Sequence, residues 1–423
     1  MDSQRAYERL LALQSRGIQL GLDRVREVLS RLGDPQRGTP WVVVAGTNGK
    51  GSTSAFVAAI LRAAGYRVGL YTSPHLVDPR ERIRVDDVLI SEDDFARQAA
   101  TVLDVAAGDR EDRTPGLTFF EALTCMAFRH FREQGIQVGV LEVGLGGRLD
   151  AVNVVTPTVT VITTLALDHG DWLGDDVLSI AREKAGILRD RVPLAVAVEE
   201  SLFREVIGPL CLKGHIPVLM VGRDVVGRWR DGLFTYRGPL YRLHDVSLGL
   251  GGRFQEVNAS VAVAATEHLA TRGFSIDEEA VRKGLVQARW RGRFEVLAES
   301  PPLIVDVAHN PNGVEALVAA LTEEFGRGAR FDVFLAVKKE KDLPGMLRLL
   351  APHAESLTLA GSAGEGLATL DSLPADAREG LPALRSLPTP ADAVREARAA
   401  HAAGRAVLVT GSHRLAGELL GAQ

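Results

Sequence analysis

Cysteine is nearly absent. Cys125 and Cys211 are the only two in 423 residues, and both sit among apolar neighbours. A disulfide framework is excluded, and free thiols in a reducing compartment fit best. No Cys/His run has the spacing of zinc ligands. Lysine is scarce as well: seven of the 49 basic residues are lysines. Any role that needs an amine rather than a guanidinium therefore has few candidates. No apolar run reaches transmembrane length, and the N-terminus M-D-S-Q-R-A-Y-E-R-L lacks the apolar core of a signal peptide. The expected compartment is the cytoplasm, with no membrane partner. A net charge of −5 argues against general nucleic-acid binding. What is present is apolar: 46% hydrophobic residues support substantial cores and exclude a disordered chain, and the length suits two or three domains.

The stretch that organises the chain is W-V-V-V-A-G-T-N-G-K-G-S-T, residues 41–53. Trp41 to Val44 are apolar and β-branched and predict a buried strand. A Gly-rich turn follows, and Ser54 to Ala64 predict a helix. Strand, glycine-rich turn and helix make a phosphate loop. Glycines let backbone N–H groups approach an anion, and the helix N-terminus adds positive dipole. Lys50 supplies a point charge for phosphate, and Ser52 or Thr53 a hydroxyl for Mg²⁺. The spacing departs from G-x-x-x-x-G-K-[ST]: position 44 is Val44, and Gly51 follows the lysine. A Gly-rich turn with a solvated lysine is the competing reading.

Further candidates lie at the ends of predicted strands, where open α/β sheets collect ligands. Strand Val68 to Tyr71 ends in T-S-P-H-L, with Ser73 and His75. A plain capped strand end explains them equally well. Asp78 to Asp87 reads as a charged loop, and Glu92 to Ala107 as a helix. L-T-F-F-E (117–121) opens an apolar helix. Val138 to Val143 is an apolar strand interrupted by Glu142, a carboxylate that is costly to bury unless paired or metal-bound. Val159 to Leu165 is a strand ending in A-L-D-H-G-D-W-L-G, where His169 stands between Asp168 and Asp171. Helix Val177 to Leu188 carries Lys184, which local sequence reads as a surface lysine. Leu20-Gly21-Leu22 is a loop that could meet a flat ligand or be a plain hydrophobic turn.

Residues 214–250 carry strand and turn signals and predict antiparallel excursions on the sheet edge. A helix begins within 252–265, with Asn258 near its start. Asp277 to Gln287 is helical, and R-W-R-G-R-F-E-V (289–296) reads as an interdomain junction. Strand and helix then alternate again from Leu303 to Val409, which argues for a second, smaller α/β domain.

Seven of these segments, in order, resemble one family: A-G-T-N-G-K-G-S, Y-T-S-P-H-L, L-E-V-G-L-G-G-R-L-D, A-L-D-H-G-D-W-L-G, R-E-K-A-G-I, G-R-F-E-V and D-V-A-H-N-P. The family is folylpolyglutamate synthase/dihydrofolate synthase, a branch of the Mur-type ATP-dependent amide ligases. The resemblance implies an α/β fold: a P-loop-containing central Mur-ligase-type domain with a mainly parallel sheet (1–290), and a smaller C-terminal Rossmann-like domain (291–423). It implies that ATP phosphorylates a carboxylate and that the amine of L-glutamate displaces the phosphate. By the same likeness Thr47, Asn48, Gly49, Lys50, Gly51, Ser52, Asn258, Arg293 and Asp306 bind ATP. Ser52, Ser73, Glu142, His169 and Lys184 ligate two Mg²⁺ ions, Lys184 as a carbamate. Lys50, Lys184 and His309 serve catalysis, and His309 and Ser412 meet the incoming glutamate. Leu20, Gly21, Leu22, Thr118, Phe119, Phe120, Glu121 and Asp150 hold the pteroate or folate, with Asp150 suited to forms that accept dihydropteroate. The chain therefore resembles the bifunctional bacterial type, working as a monomer on dihydropteroate, tetrahydrofolates and glutamate.

Three other readings compete. One is a single-function folylpolyglutamate synthase. Another is a cell-wall Mur ligase, for which the roughly forty residues before Gly46 are too few to form a UDP-binding domain. The third is a nucleotide-dependent switch, which needs the phosphate loop but not Glu142, His169 and Lys184.

Overall fold

The computed structural model describes residues 3–107, 116–167, 176–361 and 366–421. The chain divides into two compact units. One contains 1–74, 79–248 and 257–288; the other contains 75–78, 249–256 and 289–423.

The first unit is built on an eight-stranded sheet, numbered along the chain: β1 (Trp41–Ala45), β2 (Val68–Tyr71), β3 (Ile83–Val85), β4 (Val88–Leu89), β5 (Val138–Glu142), β6 (Val159–Ile162), β7 (Leu194–Val196) and β8 (Val218–Met220). Their order is β4-β3-β2-β5-β1-β6-β7-β8. β1 lies between β5 and β6, parallel to both. All five of its residues are buried, and this accounts for the unbroken apolar run: a central parallel strand is covered on both faces. The chain leaves β1 toward β2 on one side and later fills β6 on the other. The carboxyl end of β1 is thus a point where strand order reverses, the usual ligand crevice of such sheets.

Several elements differ from expectation. The helix after β1, α1 (Lys50–Ala63), starts at Lys50 rather than Ser54. Residues 83–89 form a hairpin rather than a charged loop. Val85 pairs with Val88 across Asp86 and Asp87, which have φ of 52° and 71°. Positive φ at both central residues suits a tight two-residue turn, and Asp tolerates that conformation better than most residues. The antiparallel excursions form a separate sheet of β9 (Val226–Arg230), β10 (Leu233–Arg237) and β11 (Arg242–Val246). β8 alone joins the main sheet at its edge. The small sheet packs on α2 (Gln255–Thr271), where Gly227 lies against the Ser260 side chain. No described helix is long and apolar enough to cross a membrane.

The second unit carries β12 (Glu295–Glu299), β13 (Pro302–Val305), β14 (Phe331–Leu335), β15 (Ala354–Ala360), β16 (Leu384–Leu387) and β17 (Val407–Thr410). Their order is β12-β13-β17-β14-β15-β16, with β12 antiparallel and the rest parallel. β12 and β16 are half-exposed edge strands whose mixed composition gives no apolar run, so pattern alone misses them.

Candidate functional site

The loop after β1 is held by β6 and by the helix α3 (Val177–Ala185). Thr47 N–H donates to Thr164 O (2.8 Å), and Thr163 Oγ1 donates to Asn48 O (2.7 Å). The Thr47 hydroxyl donates to Ala166 O and accepts from Ala166 N–H. Thr47 therefore shapes the loop with its own polar groups committed. Gly46 has φ 151°, and a Cβ there would lie 1.7 Å from Thr163 Oγ1. Gly49 caps α1 at φ 83°, where a Cβ would lie 2.1 Å from Asn258 Oδ1. Asn258, on α2, thus belongs to the same loop. Because α1 begins at Lys50, the N–H groups of Lys50, Gly51 and Ser52 fall in a first helical turn, which has no intrahelical acceptors for them and carries the positive dipole end.

Two lysines converge on one carbonyl. Lys50 Nζ donates to Gly46 O and Thr47 O, both at 3.0 Å, and Lys184 Nζ donates to Gly46 O at 2.8 Å. Lys184 is 5% exposed, so the surface lysine read from local sequence is corrected. Its burial comes from tertiary packing, 138 residues away from Gly46, which local pattern does not report. At the neighbouring strand ends, Ser73 N–H donates to Glu142 Oε2 (3.1 Å), and Glu142 is 3% exposed. Arg82, also buried, feels the Glu142 charge and lies 5.5 Å from the Phe119 ring. His169, with Asp168 and Asp171, lies outside the described residues.

The segment after β5 is folded around Asp150. Its Oδ2 accepts from Gly144 and Leu145 N–H (both 2.9 Å), and Oδ1 accepts from Val152 N–H (3.0 Å). Burial pushes its carboxyl up to about 6, against those three hydrogen bonds and the nearby Lys184 charge. Arg148 pairs with Glu183 at 2.8 Å, and Asn153 Nδ2 donates to Arg148 O and Gly186 O. These contacts tie the 144–150 loop to α3 and fix Lys184.

The residues assigned to the pteroate end also meet. Thr118 and Glu121 form a capping box at the start of α4 (Phe119–Glu133). Glu121, 3% exposed, is further paired with Arg24 Nη2 at 2.7 Å, and the same nitrogen donates to Gln19 O. Arg24 thereby joins the loop of Leu20, Gly21 and Leu22 to Thr118–Glu121. The carboxylate of Glu121 is engaged in local structure, so the side chains left for a planar ligand are Phe119, Phe120 and those of the loop. Phe120 packs against Tyr71, ring centroids 5.9 Å apart and planes tilted by 42°, and lies against Gly144.

In the second unit Asp306 is 4% exposed and accepts from Phe294 N–H (2.8 Å) and Ala308 N–H (2.7 Å). It pins the turn that carries Arg293, whose charge it feels. His309 Nδ1 lies 2.9 Å from Val307 O, and its ring centroid is 5.8 Å from that of His413. Ser412 Oγ accepts from Leu415 N–H and caps the last helix. Sequence reasoning passed over Arg24, Arg82, Thr163 and His413. T-G-S-H, a strand end like T-S-P-H, was the available signal for His413; the others are set by contacts distant in sequence.

A glycine-rich loop opening a helix at the reversal point of a mainly parallel sheet, followed by a second mainly parallel sheet unit, defines a two-unit α/β protein. Residues 44–202 match the family described as Mur ligase middle domain, and residues 292–413 match the Mur ligase glutamate ligase domain. The dihydrofolate synthase/folylpolyglutamate synthase of Escherichia coli is 38% identical over 364 residues, covering 85% of this chain and 82% of that protein. The Bacillus subtilis protein of the same name is 34% identical over 351 residues, 81% of each chain. Among solved structures, E. coli FolC in complex with DHPP and ADP superposes with a TM-score of 0.86 at 34% identity, over 99% of this chain and 97% of that one. Mycobacterium tuberculosis folylpolyglutamate synthase complexed with ADP and AMPPCP gives 0.89 at 30% identity, over 100% and 99%. The chain belongs to the dihydrofolate synthase/folylpolyglutamate synthase family of the Mur ligases.

Proposed function

We propose that this chain is an ATP-dependent ligase that joins L-glutamate to dihydropteroate and to reduced folates. The γ-phosphoryl group of ATP passes to the acceptor carboxylate, giving an acyl phosphate and ADP. The glutamate amine attacks the acyl carbon, the C–N bond forms, the acyl C–O bond breaks to release inorganic phosphate, and the amine loses a proton. The observation that carries this reading is the meeting of Lys50 and Lys184 at Gly46, in a family whose relatives are named for both activities. Charge on the transferring phosphoryl group must be neutralised in a site that also aligns two substrates.

Asn48, Gly49, Lys50, Gly51 and Ser52 hold the phosphates, Lys50 as a charge and the first turn of α1 through its N–H groups, in a loop whose shape Thr47 sets. Asn258, Arg293 and Asp306 complete the nucleotide contacts, Asp306 by holding the Arg293 turn. Leu20 to Leu22, Phe119 and Phe120 take the ring system, while Thr118, Glu121 and Asp150 shape that region. His309 and Ser412 meet glutamate. The working domains are 1–290 and 291–423, in a cytoplasmic monomer.

Mg²⁺ fits the donors present. Glu142 offers a buried carboxylate, and Ser73 and Ser52 offer hydroxyls. Mg²⁺ usually takes one or two carboxylates, with water and phosphate oxygens for the rest. The ion would supply charge neutralisation to the phosphates. A second ion is assigned to His169 and Lys184. As an ammonium Lys184 does not fit a cation site. Carbamylation needs the neutral amine. Addition of that amine to CO₂, with loss of one proton, gives a carbamate whose anionic oxygens fit the metal.

Lys50→Ala tests the loop. Turnover should fall on the order of 10²-fold or more, with the far-ultraviolet spectrum and thermal midpoint retained. Near-normal turnover would remove the phosphate-loop assignment.

A further inference from the structure

We infer that Thr163 is a positioning residue for the nucleotide: its buried hydroxyl sets the shape of the 46–49 loop. This rests on the ligase reading only for the identity of the nucleotide. Thr163 stands just beyond the last residue of β6 and is 1% exposed. Its N–H donates to Ala45 O at 2.9 Å and so extends the β1–β6 ladder to the last residue before the loop. Its hydroxyl then reaches over the glycine to Asn48 O at 2.7 Å, with Ala45 O further off at 3.3 Å. A hydroxyl has one proton to donate, and the shorter, charge-free contact to Asn48 takes it. Thr164 adds the next rung through its carbonyl, which accepts from Thr47 N–H. The loop is thus moulded on a template supplied by β6, 115 residues away in sequence.

Two consequences follow from this arrangement. The missing side chain of Gly46 makes room for the hydroxyl: a Cβ there would lie 1.7 Å from Thr163 Oγ1. Gly46 is also the residue whose carbonyl receives both Lys50 and Lys184. Thr163 bonds the peptides on either side of the one that receives both amines, through Ala45 O and Asn48 O, and so brackets it without having to touch the nucleotide. Removing the hydroxyl takes the 2.7 Å bond from the half-buried Asn48 carbonyl and leaves it the longer 3.4 Å contact from Thr164 Oγ1, so the carbonyl is held less firmly and can turn. The N–H groups of the following helical turn would then lose their aim.

The test compares Thr163→Val, which keeps the shape and loses the donor, with Thr163→Ser, which keeps the donor and loses a methyl. ADP binding is measured by calorimetry on the full chain, and KM for ATP and for glutamate are measured separately. Thr163→Val should weaken ADP binding and raise KM for ATP by about tenfold, leave KM for glutamate unchanged, and be rescued to within about twofold in Thr163→Ser. If Thr163→Val does not fold, Thr163→Ala against Thr163→Ser gives the same contrast. Wild-type ADP affinity in the donor-less variant, or equal loss in the serine variant, would overturn the inference. The calorimetric arm is independent of ligation: tight ADP binding with no glutamate-dependent turnover in the wild type would refute the ligase reading and leave the role of Thr163 standing.

Discussion

Gly46→Ala puts the geometry of the phosphate loop to a quantitative test. The residue has φ 151°, a conformation that L side chains rarely adopt. Holding alanine in so sparsely populated a region costs about 1–3 kcal/mol. The new Cβ would also lie 1.7 Å from Thr163 Oγ1 and 2.9 Å from Thr163 Cβ. Non-bonded heavy atoms settle at about 3.5–4.0 Å, so the loop or Thr163 must shift by more than an ångström. Thr163 is buried and held to Ala45 by its own N–H, so the loop is the part that yields. A displacement of about 1 Å in a positioning element costs on the order of 10²-fold in rate. Gly65→Ala is the matched control: φ is 89°, so the backbone strain is comparable, but nothing lies within 4 Å of the new Cβ. Steady-state kinetics at varied ATP, with thermal melts of both variants, make the comparison. Gly46→Ala should lose about two orders of magnitude in kcat/KM for ATP. Gly65→Ala should lose only stability. Equal kinetic losses in the two variants, or near-normal kcat/KM in Gly46→Ala, would refute the reasoning.

Two other predictions concern charge. Asp150 has a folded-state carboxyl raised from 3.8 to about 6 by burial. Because the folded state holds the proton more tightly, this residue's contribution to stability is most favourable below pH 3.8 and is lost as pH rises to about 6, then stays flat. The stability of wild type relative to Asp150→Asn should therefore fall by on the order of 2–3 kcal/mol between about pH 4 and pH 7; a difference independent of pH would show that burial does not govern this group. Lys184→Ala should lose activity and regain part of it with acetate, and wild type equilibrated with ¹³C-bicarbonate should show a carbamate carbon signal that the variant lacks. No such signal in active enzyme would remove the carbamate.

Much of the frame could be read from the sequence because it is set by local pattern. Val68–Tyr71 and Glu92–Ala107 stand where strand periodicity and helix pattern put them. β1 was legible because a strand covered on both faces must be apolar throughout. The start of α1 was not: Gly51 is a poor helix former and Ser52 a middling one, and the turn forms because the loop behind it is braced by β6. The 83–89 hairpin hid in a charged run because its Asp-Asp turn contributes the charges. Motifs located Glu142 with Ser73 and Asp306 with Arg293, but not the Gly46 carbonyl that receives Lys184. Glu121 and Asp150 had read as ligand groups; the structure spends their oxygens on backbone N–H groups and Arg24, as buried carboxylates require. Arg24 and Thr163 escaped because each acts on a segment roughly a hundred residues away. No periodicity records such a contact.

The central claim is that ATP cleavage here serves amide formation with glutamate on two kinds of acceptor. The direct measurement is ADP release by the wild-type chain with dihydropteroate or with tetrahydrofolate, each with and without L-glutamate, and product mass determined in parallel. ADP should appear with either acceptor only when glutamate is present, together with a product heavier by one glutamyl residue. Release with tetrahydrofolate alone among the acceptors would reduce the enzyme to a single-function folylpolyglutamate synthase. ADP release indifferent to glutamate, with no heavier product, would contradict the account.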